Sequence, residues 1–269
     1  MTKQKFWKQL LQFITILITI ILLREYCIKE LLEKGMNDYQ THTLLSTIAN
    51  SILIIFSYIF IKKNKLTDLA GLNKAIKPQK VYLLIIPLLY LTLLNLLIMD
   101  DLDPNKLLSL ELLVFIIYCI SIGLAEELSI RGFLQSHLIK YMGNTKKKII
   151  QSVMLASFFF GLLHILKFNK GLYGELSQVV FAMFIGVLFG VLLLIVKRIY
   201  PLIIMHALID FIGGLDTIGL PKKEISSIMS LENAIIISLL VLPCLVYAII
   251  LMKKNDLIGL RSKNYIRKG

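Results

Sequence analysis

Residues 125–135 read AEELSIRGFLQ, and they continue LLVFIIYCISIGLA (112–125), fourteen residues without a single charge. A run built for hydrocarbon leads straight into Glu126, Glu127 and Arg131. Either these charges mark the edge of a membrane or they form a working site inside it, and the rest of the chain has to decide between the two.

The 269 residues are 57% hydrophobic, with a mean hydropathy of +0.77. A chain this apolar is poorly suited to a soluble domain. Several runs of roughly 18 to 20 apolar residues are each long enough to cross a hydrocarbon core of about 30 Å. Their continuous apolar character lacks the alternation of a barrel wall. The fold class expected is therefore all-α, a polytopic transmembrane helical bundle of about eight spans: 7–23, 44–61, 81–99, 107–125 with an extension, 149–166, 179–196, 199–215 and 233–252. Residues 1–106 then hold the first three helices with their loops. Residues 107–215 hold a core of four helices, and 216–269 the last span and a basic tail.

Basic residues sort by loop. Of the 30 Lys and Arg, 22 fall in 1–9, 62–80, 126–148, 197–198 and 253–269, and 8 in the remaining segments. Loops rich in Lys and Arg stay on the cytoplasmic side, so both termini are expected to be cytoplasmic. The +13 net charge then follows from topology and attraction to anionic lipid, and no nucleic-acid partner is expected. Lys3, Lys5 and Lys8 before an apolar core resemble a signal peptide, but the core runs into REYCIKE without a small-x-small cleavage site, so a retained first span is expected. Cys27, Cys119 and Cys244 show no CxxC spacing and read as free thiols. Asp100-Asp101-Leu102-Asp103-Pro104 reads as a solvated outer turn. Gly186 and Gly190, a GxxxG inside an apolar span, read as close helix packing.

Ionisable residues within the spans are few. Glu111 lies near a span start and reads as structural. His137, in a polar stretch, and His42, in a loop, carry no assigned function. Glu126, Glu127, Arg131, His164, His206 and Asp210 remain, and buried ionisable groups in a membrane are costly enough to point to function. Gly143-Asn144 followed by Lys146-Lys147-Lys148 is a helix stop. Glu126 lies nineteen residues before Thr145 and His164 nineteen after it, which puts both roughly 25–28 Å from the turn in an antiparallel hairpin. Glu127 and Arg131, four apart, share a helix face and can pair. Glu126, rotated by about 100°, is left without that partner. A poorly solvated carboxylate suits a general base. His206 and Asp210 are also four apart, and a carboxylate one turn away can fix an imidazole tautomer. Because His206 is only eight residues past Arg198, about 12 Å of helix, it can meet Glu126 only if the hairpin at 145 projects beyond the membrane.

Glu126-Glu127-x-x-x-Arg131, Phe160-x-x-x-His164 and His206-x-x-x-Asp210, in this order on successive hydrophobic segments, resemble the CAAX protease and bacteriocin-processing family, also called Abi or CPBP. The third motif ends in Asn or Asp in that family. The resemblance covers about 110–215 and implies an intramembrane endopeptidase acting on a membrane-associated peptide or protein, in a cell membrane and most simply a bacterial plasma membrane. It further implies that Glu126 and His164 activate water, that His206 and Asp210 hold the oxyanion or orient the site, and that Glu127 and Arg131 support it. A base makes water nucleophilic, and the oxyanion needs a positioned donor. No cofactor is expected to be required. Zinc is the alternative, with Glu126, His164 and His206 as its ligands and an open position for water, although the spacing is not HExxH. Two other classes stay open: a non-catalytic bacteriocin-immunity or scaffold protein, and a proton-coupled transporter, against which the chain shows no inverted repeat.

Overall fold

The computed structural model describes residues 2–99, 109–167, 170–223 and 228–257. The acidic run 100–104 lies outside the described residues. The helices are α1 (Lys3–Glu33), α2 (Tyr39–Lys63), α3 (Ile85–Ile98, entered through a 3₁₀ turn at Val81–Leu84), α4 (Leu110–Glu126), α5 (Ser136–Met142), α6 (Lys146–Leu163), α7 (Gly171–Val196), α8 (Tyr200–Gly213) and α9 (Leu231–Lys254), and no strand occurs among the described residues. Their starts are written in short polar side chains. Thr2, Asp38, Thr145 and Ser230 each accept the N–H three residues on, at 3.3, 2.8, 3.3 and 3.2 Å, which satisfies a donor that the first turn leaves free. The Thr41 N–H holds the Asp38 carboxyl below the usual carboxylate range.

Seven helical segments are long and apolar enough to cross a membrane: Lys3–Glu33, Tyr39–Lys63, Val81–Ile98, Leu110–Met142, Lys146–Leu166, Gly171–Val196 and Leu231–Lys254. The chain is a multi-pass membrane protein. The eighth expected span, 199–215, is shorter than the others: α8 has 14 residues, about 21 Å of helix against a ~30 Å core, and the chain reaches the opposite end of the bundle at Lys222, whose N–H bonds to Asn37. α8 begins only after Arg198 is tied to the Asn73 and Ile76 carbonyls at 3.0 and 2.9 Å, and it stops at Gly213-Gly214.

α7 is the axis of the bundle. Its apolar window is 67% buried, against 17–33% for α1, α2, α3 and α9. It packs between α6 and α9, while α4 packs against α2 and α8. Side chains facing out from the outer helices are mostly Leu, Ile and Tyr. Helix contacts facing in are made by small and hydroxyl residues, such as Ser57 with Ser129 at 2.8 Å and Asn50 with Ser121 at 3.0 Å. Lipid is as apolar as leucine, so small size and hydrogen bonds hold such helices together.

Hydrogen bonds gather the basic segments at one end. Lys140 Nζ donates to the Asn64 carbonyl at 2.8 Å, and Lys80 Nζ to Asn255 Oδ1 at 2.8 Å. Lys146 Nζ reaches the Asn255 carbonyl at 3.4 Å. Phe6 of α1 stacks on Tyr141 at the same end. At the other end the Lys222 N–H donates to the Asn37 carbonyl at 2.8 Å, and the Met229 N–H to that of Lys170 at 3.3 Å. Single cysteines at Lys77, Lys147 and Lys254, in a chain lacking Cys27, Cys119 and Cys244, should all react with an impermeant maleimide from one side of the membrane. Cysteines at Met36 and Lys222 should react from the other. Mixed labelling within either group would contradict this arrangement.

Candidate active site

The span that begins with α4 does not remain an α-helix. From Glu127 to Gln135 it is a π-helix, and it resumes as α5. The wider turn brings Ser136 Oγ to the Arg131 carbonyl five residues back, at 2.9 Å. π segments inside α-helices are rare and mark functional sites. All nine residues of this one are buried.

Glu127, Arg131 and Gln135 line up one turn apart along this segment, and each finds a partner. Arg131 Nη1 donates to Glu127 Oε1 at 2.9 Å. Arg131 Nη2 points at the Gly186 carbonyl at 3.5 Å, and Gln135 Nε2 donates to the Gly190 carbonyl at 3.0 Å. The GxxxG pair of α7 therefore does more than allow packing. A Cβ on Gly186 would lie 2.9 Å from Ser157 Cβ, and one on Gly190 would collide with the Gln135 amide. Phe160 and Phe189 cover the guanidinium with their rings 4.7 and 5.3 Å away, replacing some of the hydration it has lost.

His206 enters from α8. Its approach depends on Gly123, where a Cβ would lie 2.9 Å from the Ile203 carbonyl. The imidazole Nδ1 is 2.8 Å from Glu127 Oε1. Its Nε2 is 3.4 Å from Glu126 Oε2 and 3.6 Å from Asp210 Oδ2. Ionised carboxylates only accept, so an imidazolium can donate to both glutamates at once. The imidazole is thus oriented mainly by Glu127, on another helix, and less by Asp210 one turn away. Glu126 has no contact with Arg131 but does have His206. This meeting also settles the depth problem. Glu126 lies roughly 25–28 Å from the 143–145 turn and His206 only about 12 Å past Arg198, so the hairpin stands roughly 13–16 Å beyond the 197–199 turn.

The two adjacent glutamates differ sharply in exposure. The Glu127 side chain is 0% exposed and that of Glu126 is 32%. Glu126 opens into a small cavity of about 60 Å³, which it borders together with Asn50, Ser129, His164, Arg24 and Lys167. His164, where α6 ends, places Nδ1 3.0 Å from the Phe160 carbonyl. A carbonyl only accepts, so the proton sits on Nδ1 and the neutral ring keeps its lone pair on Nε2. Phe160 also meets this ring edge-on at 5.0 Å. His206 and Asp210 do not border the cavity; they stand behind Glu126.

Among the described residues, no three His, Cys, Asp or Glu side chains are set to hold a metal ion. Both nitrogens of His206 are turned to carboxylate oxygens.

Residues 108–212 match the family model described as type II CAAX prenyl endopeptidase Rce1-like. This segment belongs to that family. It is a family of membrane proteases, and the Rce1-like segment holds all six of the residues singled out in the sequence. No curated protein and no solved structure matches the chain.

Two other expectations change. His42 is buried in the first turn of α2, with Nε2 2.8 Å from the Met36 carbonyl. His137, between Gln135-Ser136 and Lys140 in sequence, is fully buried and stacked between Phe6 and Phe133 at 4.9 and 5.1 Å, because α1 folds over it. Glu111 stands in the first turn of α4, where a carboxylate suits the helix dipole. Sequence reasoning passed over Asn50, Arg24 and Lys167. Asn50 had a signal, being an amide inside an apolar span. The two cations look like ordinary interface anchors beside the Rce1-like segment and within it.

Glu127→Gln should leave Arg131 buried without its counter-charge. Thermal unfolding in detergent should show a loss of about 3–5 kcal/mol. An unchanged midpoint would mean that the pair does not hold the segment.

Proposed function

We propose that the chain is an intramembrane endopeptidase that hydrolyses a peptide bond of a membrane-associated peptide or protein with water activated by Glu126 and His164. One observation carries this reading. Of two neighbouring glutamates, one is sealed against Arg131 and His206, and the other opens, beside a histidine with a free lone pair, into a cavity of about 60 Å³, about the space of a few water molecules.

In this mechanism a water in the cavity donates one proton to Glu126 as its oxygen bonds to the substrate carbonyl carbon, and His164 Nε2 accepts a hydrogen bond from its other proton. The carbonyl π electrons move onto oxygen. Among the cavity-lining donors, the Asn50 amide and the Lys167 ammonium suit this oxyanion. On collapse the C–N bond breaks and Glu126 returns its proton to the leaving amine, which gives a new carboxyl and a new amine. His206, anchored by Glu127, keeps the Glu126 carboxylate in place and stabilises it between proton transfers. Asp210 is acceptor-only when ionised, so it adds to the field on His206 and is no oxyanion donor.

Glu126→Gln should lower turnover by about 10²–10⁴-fold with little change in thermal midpoint. Residual activity within threefold of the parent would refute the role of Glu126 as base. The mechanism draws on no metal: purified protein should keep its turnover after dialysis against a chelator. Loss of activity that is restored by stoichiometric zinc would overturn this part.

A further inference from the structure

The small cavity does not end at Glu126. Arg24, His164 and Lys167 border it and also border a second, open cavity of about 470 Å³ at the end of the bundle away from the basic loops. The small cavity has room only for water, whereas the larger one is of a size that takes a ligand. Its walls carry Arg24, Lys29, Lys167, Lys170, Lys222 and Lys223 against only two acids, Glu25 and Glu175. Both acids are already engaged, Glu25 with the Arg24 guanidinium and Glu175 with the Lys170 N–H at 2.9 Å. Lys167, Lys222 and Lys223 form no ion pair among the described residues.

These cations do not belong to the clustering of basic loops that sets topology, because they sit at the opposite end. They come from three separate places, α1, the 164–170 turn and the stretch after α8, and backbone bonds bring them together: Lys222 N–H to Asn37, and Met229 N–H to Lys170. Burial pushes the Lys170 ammonium below the usual lysine range; Glu175 opposes this and nearby Lys222 adds to it. Like charges held this close are mutually destabilising unless something anionic joins them. A cleft with one sign of charge and low-dielectric walls focuses its field on a ligand of the other sign.

We propose that this vestibule binds the carboxylates of an acidic peptide segment and so selects substrates that carry negative charge beside the bond presented to Glu126. The proposal rests on the protease reading only for that last clause. The carboxylates come from Asp and Glu side chains or from a free C-terminus, and the vestibule suits either.

The test uses fluorescent ten-residue peptides, apolar in one half and carrying three Glu, three Gln or three Lys in the other, each as free acid and as amide. Binding is read by anisotropy on Glu126→Gln protein in phosphatidylcholine liposomes, and cleavage on the parent protein. The Glu peptide should bind about tenfold tighter than the Gln peptide, at about two- to threefold per lysine engaged, and the Lys peptide weakest. The gap should narrow as salt rises. Lys222→Gln with Lys223→Gln should reduce the Glu-to-Gln ratio to about threefold or less, whereas Lys253→Gln with Lys254→Gln, at the basic end, should leave it intact. A Glu preference that survives amidation assigns the site to side chains, and one that amidation removes assigns it to the terminus. Equal binding of the three peptides would overturn the proposal. So would loss of the preference in phosphatidylglycerol liposomes at constant ionic strength, which would give the cations to lipid headgroups. Tight, Glu-selective binding with no hydrolysis of any bound peptide would sink the protease reading and leave the vestibule standing; hydrolysis without a charge preference would do the reverse.

Discussion

Arg131 is the largest fully buried side chain among the described residues, and a guanidinium cannot shed its charge to ease that burial. Everything around it compensates. Glu127 supplies the counter-charge, two aromatic rings cover its faces, and a backbone carbonyl of α7 faces one of its nitrogens. These partners come from three elements, so the requirement to satisfy one cation draws the π segment, α6 and α7 to a common point. Glu127 in turn holds His206 and with it α8. The ionic cluster thus serves as the joint of a bundle whose remaining contacts are largely apolar and nondirectional.

The same joint divides the labour between neighbouring carboxylates. Had the segment after Glu126 stayed α-helical, the side chains of Glu127, Arg131 and Gln135 would follow a tighter spiral. The π turn widens it, and Arg131 and Gln135 reach the carbonyls of Gly186 and Gly190 on α7. Glu126, the last residue before the change in pitch, is turned to the cavity instead. One carboxylate is enclosed by its partners and its neighbour is left open to the cavity. A membrane interior favours this economy, since each additional buried charge carries a desolvation penalty that must be met by a partner.

Charge also organises the molecule at longer range. Lysines and arginines at one end bond to loop carbonyls and to the Asn255 side chain, and anchor the helices. Those at the other end line an open cavity next to the site. Counting basic residues by loop merges these two populations into a majority and a minority. It sorts the loops by side of the membrane, but it hides the fact that six of the eight minority cations line one cavity.

Much of this was legible in the sequence. Runs of apolar residues dictate membrane helices wherever they occur, because an unsatisfied backbone in lipid is too costly for any other structure. The i,i+4 spacing of Glu127 and Arg131 put them on one face, and equal distances from Thr145 placed Glu126 and His164 at one depth. The spacing of His206 and Asp210 could not show that Glu127 is the stronger partner of that imidazole, because their contact crosses between helices 79 residues apart. Nor could hydropathy show that α8 stops short, that residues 127–135 take a π pitch, or that His137 is sealed under Phe6. Local sequence determines which residues can share a face. Only the packing of those faces, governed by where a glycine lets two backbones approach and where a buried cation must find its partners, decided which glutamate was enclosed and which was left open to water.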